Sequence, residues 1–156
     1  MRLELTINGR AEQWDVEPGE TLLEALRAHE YKGAKLVCGT GDCCACGVIV
    51  DGLSLNSCCF LALQAQGANV LTVEGLAAHD GTLHPLQQAF LEVGAAQCGF
   101  CTSGFLMRSY ALLAAAPHPT EEQVRHALAG NICRCTGYVK PVQAVLRAAE
   151  LLDAHV

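Results

Sequence analysis

Four cysteines in a short span constrain this chain more than any other feature. Cys38, Cys43 and Cys46 stand as C-x4-C-x2-C, and Cys58 follows after eleven residues. That spacing lets four thiolates close around a compact [2Fe–2S] core. Such a loop needs glycines where its backbone turns sharply or brings N–H groups up to the sulfurs, and Gly39, Gly41 and Gly47 stand at such places. Cys98-Gly99-Phe100-Cys101 and Cys133-Arg134-Cys135 make a second quartet with a different spacing. The two quartets predict two clusters on one chain.

Ten cysteines mean disulfides in a secreted protein and metal or redox chemistry in a reducing compartment. Residues 1–8 alternate apolar and polar side chains like a strand and contain no apolar signal core, so the expected setting is the cytoplasm. The net charge of −6 argues against nucleic acid or an anionic membrane surface as partner. No window resembles the eighteen or so uncharged apolar residues of a membrane span. A chain of 156 residues buries about 70% of its surface on folding, enough for one or two domains.

Residues 1–75 read as a mixed sheet with a helix across it. Leu3, Leu5 and Ile7 alternate with polar residues, and Asn8-Gly9 is a two-residue hairpin signal leading to a return strand over 12–17. Thr21 and Glu24 form a capping box before an amphipathic helix. Residues 48–50 and 53–56 read as strands, 58–66 as a helix and 70–73 as a last strand. This is the pattern of a ferredoxin-like β-grasp domain, giving an α+β chain overall. The stretch 75–82 has no sustained periodicity and marks the boundary. Residues 76–156 read as helical: Pro85 suits a first turn with the helix ending at Gly94, 102–116 is a long apolar helix, and Thr120 with Gln123 caps a third. Pro141 opens a fourth, whose inner face carries Val142, Val145, Leu146, Ala149 and Leu152. Four such helices predict a small bundle.

Cys98 and Cys101 precede the long helix, and Cys133 and Cys135 lie in the loop between the last two helices. Two loops at one end of a bundle can bring four thiolates together. A helix N-terminus beside Cys101 favours negative charge there. C-x2-C with C-x-C is an uncommon zinc pattern, so zinc is the weaker reading. The remaining polar residues have plain explanations. His29, His79, His118, His126 and His155 are expected to be solvated or capping residues, and Asp42 a turn residue. Nothing requires His84 near a cluster. No Walker loop, dinucleotide fingerprint or catalytic triad is present, so a chain with clusters and no substrate machinery reads as a relay.

The ordered set Cys38, Cys43, Cys46, Cys58, then Gln97-Cys98-Gly99-Phe100-Cys101-Thr102, then Gly130-Asn131-Ile132-Cys133-Arg134-Cys135-Thr136-Gly137-Tyr138 resembles the small iron–sulfur subunit of the xanthine dehydrogenase/aldehyde oxidase family of molybdenum hydroxylases. The resemblance spans nearly the whole chain. It implies a plant-type ferredoxin-like [2Fe–2S] domain followed by a helical [2Fe–2S] domain. Its cluster ligands fall on Cys38, Cys43, Cys46 and Cys58, and on Cys98, Cys101, Cys133 and Cys135. Its pterin contacts fall on Gln97, through the side-chain amide, and on Cys135. The implied partners are a large molybdopterin-binding subunit and a medium FAD-binding subunit, with electrons passing to FAD or another acceptor. Three positions depart from the family pattern: Cys44 replaces a common Gly, Cys59 adds a thiol beside Cys58, and Ser103 replaces a common Pro. On spacing, Cys43 and Cys58 remain the expected ligands, with Cys44 and Cys59 as the alternatives. The rival readings are a diffusible two-cluster ferredoxin and a zinc-stabilised binding module.

Overall fold

The computed structural model describes residues 1–154; His155 lies outside them. Strand β1 (Arg2–Ile7) buries Leu3, Leu5 and Ile7 on one face and pairs antiparallel with β2 (Arg10–Asp15). The turn between them puts Asn8 and Gly9 at φ +50° and +80°, the left-handed pair that twists with the strands. Helix α1 (Leu22–Ala28) starts in the expected capping box: Thr21 Oγ1 accepts from Glu24 N–H at 3.2 Å, and Glu24 Oε2 accepts from Thr21 N–H at 2.8 Å. Strands β3 (Gly47–Val50), β4 (Leu53–Asn56) and β5 (Asn69–Leu71) complete one five-stranded sheet of order β2-β1-β5-β3-β4. Within it β1 and β5 run parallel and the other pairs antiparallel.

The predicted helix over 58–66 is instead two short 3-10 turns, Ser57–Cys59 and Ala62–Ala65. The start of α1 claims the backbone between them. Phe60 C=O accepts from Leu22 N–H at 2.7 Å, and Ala62 N–H donates to Glu20 C=O at 2.9 Å. Those groups cannot also serve a continuous helix.

Helices α2 (Pro85–Val93), α3 (Thr102–Ala115), α4 (Glu121–Leu128) and α5 (Val139–Asp153) form the expected bundle. His84 caps α2, accepting from Leu86 N–H at 3.1 Å, and its ring meets Tyr110 edge-on at 5.6 Å. Gly94 ends the helix at φ +67°. The last helix begins at Val139, ahead of Pro141, because Tyr138 at φ +68° turns the chain into it. No helix among the described residues is long and apolar enough to cross a membrane.

Two hydrophobic cores result. One joins Leu3, Ile7, Trp14, Leu26, Val48 and Val70 beneath α1, and the other joins Leu86, Phe90, Phe105, Met107, Val124 and Val145 in the bundle. Strand β3 serves both: Val48 points into the first core, Ile49 into the second, and all four of its residues are buried. That explains its unbroken apolar run in a sheet whose β1 alternates. The two cores therefore share a wall, and both cysteine quartets lie near it.

Candidate metal centres

The first quartet sits on the loop entering β3 and on the turn after β4. Asn56 Nδ2 donates to Gly41 C=O at 2.7 Å, and Ser57 Oγ donates to Cys46 C=O at 2.7 Å, tying the turn that carries Cys58 to the loop that carries the other three. Cys43, Cys46 and Cys58 are buried and Cys38 is half-buried. Cys38 neighbours Cys43, and Cys46 neighbours Cys58, closely enough for each to act on the other's thiol. Backbone amides reach the sulfurs as expected of such a loop: Thr40 N–H points at Cys38 Sγ from 3.4 Å. That amide and the Thr40 side chain, with a smaller contribution from Cys43, bring the Cys38 thiol down to about 5. Burial pushes Cys43 up and Cys46 up to about 12.

The second quartet joins the approach to α3 with the loop before α5. Cys98 and Cys135 form an exposed pair with sulfurs 3.6 Å apart, and Cys101 and Cys133 form an inner pair. Burial raises Cys101 to about 12. At Cys133 burial pushes upward as well, but the Thr136 hydroxyl at 3.1 Å and amide at 3.4 Å outweigh it, leaving this thiol at about 7. Cys133 N–H in turn donates to the Tyr138 hydroxyl at 3.0 Å, which holds Tyr138 in its left-handed conformation. Gln97 stands exposed next to Cys98 and so shares the outer face with Cys135.

No three His, Cys, Asp or Glu side chains among the described residues converge as a single ion would require. The thiols meet in pairs, two pairs per quartet. A two-iron core takes two thiolates at each iron, whereas a structural zinc takes four at one point, so the donor set fits the [2Fe–2S] core. The sulfur-directed N–H and O–H groups also suit thiolates that carry charge.

Between the quartets runs a seam. Ile132 N–H donates to Cys43 C=O at 3.2 Å, and Ser103 Oγ donates to Ala45 C=O at 3.4 Å. A cavity of about 220 Å³ opens between Val37, Cys43 and Ala45 on one side and the four thiols of the second quartet on the other. Gly104 of α3 lies directly on the Cys44 backbone, and the Cys44 sulfur is 3.3 Å from where a Cβ on Gly130 would sit. Cys44 is thus a buried plug in the seam, facing away from the first quartet. Its φ of +56° belongs to the left-handed region that a glycine takes without strain. Cys44→Gly is expected to leave the iron content unchanged and to shift stability by about 1 kcal/mol or less, because relief of backbone strain offsets the lost packing. Iron analysis with thermal denaturation checks both. Cys59, exposed, lies beside the first quartet with its sulfur 3.7 Å from that of Cys58. Asp42 accepts from the Thr40 hydroxyl at 2.5 Å as a turn residue. Sequence reasoning singled out Cys44 and Cys59 as oddities, yet only the folded chain separates their surroundings. The contribution of Gly104 had no signal in the sequence.

Residues 5–71 match the 2Fe-2S iron-sulfur cluster binding domain family, and residues 72–146 match the [2Fe-2S] binding domain family. The chain is 48% identical over 149 residues to the nicotine 6-hydroxylase small subunit of Paenarthrobacter nicotinovorans, spanning 95% of this chain and 89% of that one. It is 44% identical over 146 residues to the xanthine dehydrogenase iron-sulfur-binding subunit of Escherichia coli O157:H7, spanning 92% and 91%. In structure it resembles a chain of quinoline 2-oxidoreductase from Pseudomonas putida 86, with a TM-score of 0.94, 40% identity and coverage of 99% and 96%. It also resembles the aldehyde oxidoreductase of Desulfovibrio desulfuricans ATCC 27774, with a TM-score of 0.93 and 43% identity, where 98% of this chain corresponds to 17% of that longer one. This chain therefore carries two [2Fe–2S]-binding domains.

Proposed function

The chain belongs to the iron–sulfur subunits of the molybdenum hydroxylases, and from that membership we propose that it relays electrons between a molybdopterin centre in a large subunit and FAD in a medium subunit, or another acceptor. Cys38, Cys43, Cys46 and Cys58 hold one cluster; Cys98, Cys101, Cys133 and Cys135 hold the other. When bound, a [2Fe–2S] core supplies one-electron storage at each site. The chain's residues supply its position, its hydrogen bonds and its exclusion from water. The division at residues 1–75 and 76–156 is supported by the two hydrophobic cores and by the close packing of Gly75 on Asn8.

The observation that carries the relay is the Ile132 N–H to Cys43 C=O bond. Cys43 is a ligand of one proposed site, and Ile132 precedes Cys133, a ligand of the other. One hydrogen bond and a few covalent bonds thus connect the sites through the seam. The outer end supports a partner at the second site. Val37, Phe100, Ile132 and Tyr138 are 54%, 53%, 56% and 42% exposed there, an apolar surface around Gln97, Cys98 and Cys135 of the kind that a partner covers. We assign that face to the molybdopterin subunit, with Gln97 and Cys135 as its pterin contacts, and the first site to the flavin side.

Affinity purification of the tagged chain from its native cells is expected to bring down a larger molybdopterin-containing chain. Recovery of the chain alone, with both clusters, would favour a diffusible ferredoxin. In the purified complex, Gln97→Ala should spare both clusters and leave reduction by dithionite unchanged. It should slow reduction by the complex's own substrate about tenfold, the effect of losing roughly 1.4 kcal/mol of positioning. Unchanged reduction by substrate would count against the pterin contact.

A further inference from the structure

The first quartet has a fifth thiol beside it. We propose that Cys59 is a reserve ligand of the first cluster, taking the place of Cys58 at its iron. The inference rests on the proposed assignment of Cys38, Cys43, Cys46 and Cys58 as the resident set. Cys58 and Cys59 are neighbours on one 3-10 turn, where successive side chains diverge by about 120°. Their sulfurs nevertheless lie 3.7 Å apart. The Cys59 sulfur is 3.1 Å from where a Cβ on Gly41 would sit, so it rests against the loop that carries the other three ligands. Cys38 and Asp42 are close enough to act on it electrostatically. Cys44 is the contrasting case: its sulfur packs near Gly130 in the seam, away from the quartet.

The turn is also loosely closed. Its closing backbone bond, Phe60 N–H to Ser57 C=O, is 3.5 Å long, at the outer limit of a hydrogen bond. A small rotation of the turn exchanges one sulfur for the other without disturbing the anchors at half-buried Asn56 and buried Ser57. The exchange is redox-neutral. The iron–sulfur bond to Cys58 breaks as the bond to Cys59 forms, and the proton of the Cys59 thiol passes to the Cys58 thiolate. Cys59 is exposed and Cys58 buried, so the exchange also moves the ligand outward to the surface that solvent and oxidants reach first.

The test uses the full chain, purified anaerobically, with iron and sulfide analysis and EPR of the dithionite-reduced protein. Cys58→Ala is expected to keep about four irons per chain with the first-site g-values displaced, and Cys58→Ala/Cys59→Ala to fall to about two irons with the second-site signal intact. A fall to about two irons in Cys58→Ala alone, with the second signal intact, would overturn the proposal. Four irons in the double variant, or loss of iron in Cys59→Ala alone, would instead refute the resident ligand set. The second-site signal reports whether a variant has folded. If Cys58→Ala loses both signals, Cys59→Ala decides, because it keeps all four resident ligands. Its first site should then release iron to a chelator several-fold faster than the unaltered chain does, and an equal rate would overturn the proposal.

Discussion

Gly104→Ala is expected to lower the melting temperature of this chain by about 4–8 °C, although alanine is the better helix former. In an ordinary helix interior the exchange would stabilise by about 1 kcal/mol. Here the new Cβ would overlap the Cys44 carbonyl oxygen and sit 2.9 Å from its carbon and 3.1 Å from Ala45 Cα. Those neighbours are backbone, in a loop fixed by Lys35 N–H to Ala45 C=O at 3.1 Å, Gly47 N–H to Cys44 C=O at 3.1 Å and Ile132 N–H to Cys43 C=O at 3.2 Å. Neither side can yield by rotating a side chain, so α3 and the first loop must separate. Overpacking of this kind costs about 3 kcal/mol or more, which outweighs the gain in propensity. For a chain of this size each kcal/mol moves the midpoint by about 2–4 °C. Gly52→Ala is the control, since its Cβ meets nothing within 4 Å and only its positive φ resists the change. A melting temperature for Gly104→Ala within a degree or two of the parent would mean that the seam is looser than the structure has it. The same variant should slow electron passage between the two sites if the Ile132–Cys43 bond is the route.

Cys135→Ala should remove one cluster and leave the other. Iron is expected to fall from about four to about two per chain, with one of two EPR signals lost and the remaining one unshifted. The reason is that Cys135 belongs to the outer pair of the second quartet and touches Cys98, while the first quartet is anchored by Asn56 and Ser57 on the other side of the seam. The lost thiol is exposed, so the variant loses a ligand without opening a core cavity and should stay folded. Loss of both signals would contradict two separately built sites. Retention of both would move the second ligand set away from Cys135.

Local chemistry wrote much of this structure legibly. The Asn8-Gly9 turn, the Thr21–Glu24 and Thr120–Gln123 capping boxes and Pro85 at the start of α2 all formed as expected, because each depends on residues within a few positions. That the chain carries two [2Fe–2S]-binding domains was equally legible, since a loop around a metal core leaves its spacing in the chain. What failed depends on distant partners. Residues 58–66 carry a helical apolar pattern, but Glu20 and Leu22 take up the backbone groups at Phe60 and Ala62. The start of α5 moved because Cys133 N–H holds the Tyr138 hydroxyl, a bond formed only when the second loop folds. Cys44, read from the sequence as a small buried residue with ligation as the alternative, is buried in the seam. Its direction is set by Gly104 and Gly130, far along the chain. Ser103 has a specific task, since its hydroxyl donates to Ala45 C=O across the seam. In physical terms, spacing determined which thiols could share a metal core, and only packing determined how the two halves meet.

The central claim is two separate [2Fe–2S] centres on one chain. It is tested most directly by iron and acid-labile sulfide per chain on anaerobically purified protein, with EPR of the dithionite-reduced sample. About four irons, about four sulfides and two distinguishable S = 1/2 signals are expected. Zinc without sulfide, or a single signal with about two irons, would contradict it.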